Sequence, residues 1–173
     1  MSSPKISSQA TFMEAVEALE KADQEFKSGK APERILIVYG ETGKILGKLS
    51  PIDVVKGLES KYLNIDIPKS TPYYGMVQRS IESMKEVYRL WYTPFGELWK
   101  KARSLKIHEF IKLPIPDHMV NVDDKIDAAF HLFVVFRHGS LFVKDRHEIV
   151  GLIRFSDVYK KIRETMRACP LTA

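Results

Sequence analysis

The stretch Gly151-Leu-Ile-Arg-Phe-Ser-Asp-Val-Tyr159 decides how this chain is read, because Gly47-Lys-Leu-Ser-Pro-Ile-Asp-Val-Val55 says nearly the same thing earlier. Gly47 and Asp53 recur 104 positions later as Gly151 and Asp157. A phrase written twice in 173 residues calls for a test of internal repetition before any residue is given a role.

The surroundings of the two phrases repeat as well. Before the first, Thr11–Lys27 places Phe12, Ala15, Val16, Leu19 and Phe26 at helical spacing, with Gly29 and Pro32 as stop signals. A strand-like run, Ile35–Tyr39, a turn at Gly40–Gly43 and a second strand, Lys44–Leu49, lead into a helix through Leu58. Before the second, Val120–Val122 is extended. Asp123–Arg137 then reads as a helix apolar on several faces, which predicts that it is largely buried. Ser140–Val143, a turn at Lys144–Glu148, Ile149–Ile153 and a final helix over Asp157–Arg167 complete the copy. Core positions expected from both copies are Ile37, Val38, Phe130, Phe133, Val134, Phe142 and Ile153.

Between the copies the pattern changes. Asp66–Pro72 reads as a linker. Val77, Ile81, Met84, Tyr88 and Trp91 step by 4, 3, 4 and 3, and Phe95, Leu98, Ala102 and Leu105 continue the step, a heptad-like stripe. Thr93-Pro94 fits a helix start, so the stretch reads as two helices or one kinked one. The stripe either packs on the protein's own core or joins protomers or a partner.

Bulk composition narrows the class. With 45% hydrophobic and 28% charged residues, the chain is of ordinary globular type. The apolar run Leu132–Phe136 is too short to span a bilayer, and the first residues lack a signal-peptide core, so the expectation is a cytoplasmic protein without a membrane segment. A single cysteine, Cys169, excludes an internal disulfide framework and a multi-cysteine zinc site. The net charge of +5 is concentrated in residues 60–109, which carry nine Lys/Arg against five Asp/Glu. The five histidines are scattered, and no nucleophile elbow, P-loop or dinucleotide fingerprint appears, so no enzymatic activity is expected.

Two copies of helix–strand–turn–strand–helix, each with glycine, two residues, a polar position, two residues and aspartate about the end of the second strand, resemble a cystathionine-β-synthase-type (CBS) domain pair, or Bateman module. The resemblance covers about residues 5–60 and 105–168 and leaves out the middle helices. It implies an α/β (α+β) fold of two pseudo-symmetric halves packed together. The divisions are residues 1–60 for the first repeat, 61–106 for a helical insertion and 107–173 for the second repeat. It also implies a regulatory sensor that binds AMP, ADP, ATP or S-adenosylmethionine, forms a homodimer and signals to a protein partner in trans. Carried over by position, Asp53 and Asp157 hold the ribose hydroxyls, and Ser50 approaches ribose or phosphate. Arg154 stands where the second copy departs from Ser/Thr, and Ser156 is a phosphate neighbour that compensates.

The chemistry of these residues agrees with that role. A carboxylate accepts two hydrogen bonds at once, which suits a vicinal diol. A helix N-terminus offers free N–H groups to phosphate, and glycine lets the backbone come close. A second account stands beside it: Ser50-Pro-Ile-Asp53 has the make-up of a capping box, in which Asp53 only starts a helix. The rival function is a ligand-free protein-interaction or nucleic-acid-binding scaffold. It would use the basic aromatic insertion around Tyr88, Trp91, Tyr92, Trp99, Lys100 and Lys101, although burial of Tyr88 and Trp91 on the stripe argues against nucleic acid.

Overall fold

The computed structural model describes residues 3–65, 74–113, 119–137 and 139–168. The linker expected over 66–72, together with His118, His138 and Cys169, lies outside the described residues. The chain divides into two compact units, residues 1–114 and 115–173.

The first unit opens with strand β1 (Lys5–Ser7) and helix α1 (Phe12–Lys27). Thr11 caps α1: its Oγ1 accepts the Glu14 N–H at 3.3 Å, while Glu14 Oε2 accepts the Thr11 N–H at 2.7 Å. Phe12, Ala15, Leu19 and Ala22 recur every three or four residues and are buried. Strands β2 (Leu36–Tyr39) and β3 (Ile45–Leu49) follow, then helix α2 (Pro51–Leu58) and a 3₁₀ turn over Ser60–Asn64. β1 pairs parallel with β2, and β2 pairs antiparallel with β3.

The middle segment folds onto this unit. Helix α3 (Tyr74–Val87) ends in a turn where Arg89 and Trp91 both take left-handed backbone angles (φ 49° and 61°). Two helices therefore form, not one kinked one. The turn is fixed by the buried Glu59, whose Oε2 accepts the Trp91 N–H at 2.9 Å, and by Lys61 Nζ, which donates to the Arg89 carbonyl at 2.7 Å. Helix α4 (Phe95–Ala102) buries Leu98 and Ala102, and the single turn α5 (Ile107–Phe110) buries Ile107 and Phe110. Phe110 and Trp99 pack on the Phe12 ring, with centroids at 5.1 and 5.9 Å. The stripe is thus split. Leu98 and Ala102 enter the unit's core, whereas Ile81 and Tyr88 are exposed.

The second unit repeats the plan. Strand β4 (Met119–Asn121) pairs parallel with β5 (Ser140–Asp145), and β5 pairs antiparallel with β6 (Glu148–Arg154). Helix α6 (Ile126–Phe136) precedes β5, and helix α7 (Phe155–Ala168) follows β6. The repetition reaches the irregularities. In unit one the register slips after the pair Val38–Gly47; in unit two it slips after Val143–Gly151, the corresponding pair. A bulge at the same place in both sheets raises local twist in the same way.

The core expectation holds in part. Ile37, Val38, Phe133 and Phe142 are buried, and Phe130 and Ile153 are half-buried. Val134 is not: it is 74% exposed, and Ile126 and Val135 are exposed with it. Helix α6 buries Ala129 and Phe133 against Leu141 and Val158 and packs Phe130 and Leu132 partly on the same core, but Ile126, Val134 and Val135 find no cover within the unit. Apolarity on several faces therefore did not mean burial on several faces.

Candidate functional site

Each repeated phrase builds the same corner: the second antiparallel strand ends, and a helix begins within one or two residues. At the first corner Ser50 stands before α2 with an extended backbone, and Pro51 opens the helix with its fixed φ. Asp53 turns back on this start. Its Oδ2 accepts the Ser50 N–H at 2.9 Å and the Ser50 Oγ–H at 2.6 Å, and Lys56 Nζ lies 3.9 Å from Oδ1. The structure thus brings Ser50 and Asp53 together, and the bond that starts the helix is made.

A neighbour the sequence did not single out is Lys48, on β3 two residues before Ser50. It is buried. Burial pushes its ammonium below the ordinary lysine range, while the nearby charges of Glu33 and Asp53 pull the other way. Its place in an otherwise apolar strand (Ile45-Leu-Gly-Lys-Leu49) was the available signal.

At the second corner Arg154 does with charge what Ser50 does with a hydroxyl. Its Nε and Nη2 both lie 2.6 Å from Asp157 Oδ2. The same i, i+3 relation is thus kept with a different donor, and the departure from Ser/Thr gains a physical account. Ser156 lies in the first turn of α7 and is exposed. Gly151 sits opposite Val143 in the ladder. A Cβ there would meet the Val143 Cβ at an ordinary 3.9 Å, so this glycine is not required by crowding within the sheet.

Asp157 also borders a cavity of about 540 Å³ between α6 and α7. Ile126 and Phe130 form one wall, and Val158, Lys161, Ile162 and Met166 form another. Sequence reading placed the apolar residues of α6 in the core and did not foresee an open groove beside Asp157. Among the described residues no cluster of three metal-ligating side chains occurs, and no helix is long and apolar enough to cross a membrane.

Tyr88, Trp91, Tyr92 and Phe95 of the middle segment are exposed, so the burial expected of Tyr88 and Trp91 does not hold, although Trp91 and Trp99 make contacts within unit one. The Trp91 Nε1–H donates to the Tyr62 hydroxyl at 3.0 Å, and Trp99 packs edge-on against Phe12. Tyr92 remains exposed beneath the Arg89 guanidinium, 5.7 Å from its ring centre.

No protein-family model and no curated protein matches the sequence. Solved structures do. Protein MJ1225 from Methanocaldococcus jannaschii, a proposed archaeal homolog of g-AMPK, matches over 95% of this chain and 48% of its own, with a TM-score of 0.58 and 14% identity. Staphylococcus aureus OpuCA matches over 95% and 96% of the two chains, with a TM-score of 0.52 and 14% identity. The cytosolic domain of the Mg2+ channel MgtE, solved in complex with ATP, matches over 92% and 44%, with a TM-score of 0.50 and 15% identity. At such identities the likeness is one of fold. Structures described as CBS-domain proteins are also among the matches. The chain has the mixed α/β fold of these structures, the fold that the sequence resemblance to a CBS-type domain pair implies, with two three-stranded sheets among the described residues.

Proposed function

We propose that the chain is a non-catalytic regulatory module that binds an adenine-containing ligand, AMP, ADP, ATP or S-adenosylmethionine, and acts as a homodimer on a protein partner in trans. The observation that carries this reading is the pair of equivalent carboxylates, Asp53 and Asp157. Each sits in the first turn of the helix after β3 or β6, each with a polar residue three positions earlier held against it. The ATP complex of the MgtE cytosolic domain supports the choice of ligand class. Ligand-driven signalling then follows if two arrangements of the module bind the adenylate with different affinity.

The Arg154–Asp157 pair adds selectivity to this proposal. A ribose diol that takes the Asp157 carboxylate must displace Arg154 from it. A phosphorylated ligand gives the guanidinium a new anionic partner, while adenosine gives it none. The test is calorimetry of the stripped protein with ATP, AMP, adenosine and S-adenosylmethionine. Asp157→Ala should weaken nucleotide binding about ten- to a hundredfold, since a hydrogen bond to a charged group is worth roughly 1.5–3 kcal/mol. Arg154→Ala should weaken ATP most and leave adenosine unchanged or improved. If Asp157 served only to start α7, its removal would lower stability and leave every affinity untouched. Failure of the wild type to bind any of the four at millimolar concentration would end the adenylate reading.

A further inference from the structure

The two units carry the same groove in different states, and the difference identifies a docking surface. Helices α1 and α6 align start to start, so Phe12 corresponds to Ile126, Ala15 to Ala129 and Leu19 to Phe133. Helices α2 and α7 align through the repeated phrase, so Gly57 corresponds to Lys161 and Leu58 to Ile162. In unit one the groove between the two helices is filled. Phe110 lies on Gly57 so closely that a Cβ there would sit 2.6 Å from its ring, and Phe12 is fully buried. In unit two the equivalent groove is open: Ile126, the counterpart of Phe12, is 54% exposed. Helix α7 buries only Val158 and leaves Phe155, Tyr159, Ile162 and Met166 exposed at spacings of 4, 3 and 4. Exposed apolar rows of this kind mark interaction sites, and a 14-residue helix with one buried side chain draws little stability from packing.

Unit one also shows what such a groove accepts. Its wall α1 carries five acidic against two basic residues, a net −3. The segment that covers it, residues 95–106, carries Lys100, Lys101, Arg103 and Lys106 against Glu97, a net +3. The segment that meets α1 through the Trp99–Phe12 ring contact is thus of opposite net sign to it. In unit two the sign of the two walls together is reversed: α6 and α7 carry Lys160, Lys161, Arg163 and Arg167 against Asp127, Asp157 and Glu164, a net +1, and Lys161 lines the groove beside Asp157. We infer that the α6–α7 groove docks an amphipathic helix of a partner protein whose apolar row is flanked by acidic residues. Concavity favours a helix over a flat lipid surface. A second copy of α7, equally basic, would bring like charges together. This inference does not rest on the adenylate reading, and it names the partner chemistry that such a module would meet.

The test uses the full chain and helix-stapled peptides of residues 95–110. One has the native sequence, and the other carries Lys100→Glu, Lys101→Glu, Arg103→Glu and Lys106→Glu. By fluorescence anisotropy the acidic peptide should bind in preference to the native one. Ile162→Asp should weaken it at least about tenfold. Lys161→Glu with Arg163→Glu, both at exposed positions, should reverse the preference toward the basic peptide. Far-ultraviolet dichroism checks that each variant keeps its helices, and the surface charge reversal keeps the test alive if Ile162→Asp does not. The inference fails if neither peptide binds saturably, or if binding ignores Ile162→Asp and the charge reversal. It also fails if sedimentation shows Ile162→Asp dissociating a wild-type dimer, since a second copy would then be the occupant.

Discussion

Gly57→Ala opposes two effects of known size, and their balance tests whether the first unit's groove is as tightly filled as described. In a helix interior, alanine is favoured over glycine by about 1 kcal/mol. Gly57 lies in α2 without a left-handed angle, so on propensity alone the change stabilises. Packing says otherwise. The new Cβ would lie 2.6 Å from Phe110 Cδ2, 3.0 Å from Cγ and 3.2 Å from Phe12 Cε2. Both rings are fully buried and packed on each other at a tilt of 60°, so neither can swing into solvent. Overpacking of this kind costs about 1–3 kcal/mol, and contacts this short belong in its upper half. The net expectation is a loss of about 1–2 kcal/mol. Both tryptophans, Trp91 and Trp99, lie in unit one, so urea denaturation followed by their fluorescence reports this unit. The decisive arm is the background Phe110→Leu, which removes the ring's bulk: there Gly57→Ala should turn neutral or stabilising. A stabilising Gly57→Ala in the wild type, or the same loss in both backgrounds, would refute the packing argument.

Other outcomes follow from particular contacts. Glu59→Ala removes the acceptor of the Trp91 N–H at a buried site and should cost about 1–3 kcal/mol, whereas Glu59→Gln keeps an acceptor and should cost less; the same fluorescence titration reads both. Lys48 has its folded pKa below its unfolded one, so between those two values the unfolded chain binds more protons and stability rises with pH. Lys48→Met should remove that alkaline rise when melts are compared across pH, and Asp53→Asn, which deletes a charge favouring the ammonium, should begin it at lower pH. Phe133→Ala, at the centre of the second core, should cost about 3–5 kcal/mol by thermal unfolding followed by dichroism.

Periodicity and turn chemistry made most elements legible. Thr11 with Glu14, Gly40–Gly43 and the repeated phrase each mark an element boundary through local bonds, and local bonds are what a single sequence encodes. Strand β1 was missed for the opposite reason. Three residues, Lys5–Ser7, alternate too briefly to register, and they form a strand only because β2 lies beside them. The Ser50–Asp53 corner was legible as a pair, since a three-residue spacing at a helix start brings side chains together whatever the rest of the fold does, whereas Arg154 was read toward phosphate and its bond to Asp157 was not foreseen. Lys48 was not, because its environment depends on burial beneath distant residues.

The misreading of α6 is the more instructive one. Val134 and Val135 signal that something apolar must cover this helix, and sequence cannot say whether the cover belongs to the same unit. Internal repetition turns that ambiguity into a comparison. Position 57 is glycine and position 161 is lysine, so a ring that can lie flat on the first corner's helix would be held off the second. The residue swap therefore accompanies the difference in cover: unit one seats its own Phe110, and unit two, with a flexible charged side chain at the same place, keeps its groove open. A long lysine stem can lie along an apolar occupant while its ammonium reaches a carboxylate at the rim, which a fixed aromatic packed against a bare backbone cannot exploit. On this argument the first groove is built for permanent closure and the second for an occupant that comes and goes. Lys161→Gly should then raise affinity for an aromatic-bearing helix while reducing its preference for acidic flanks, and an unchanged preference would mean that Lys161 does not read the partner's charge.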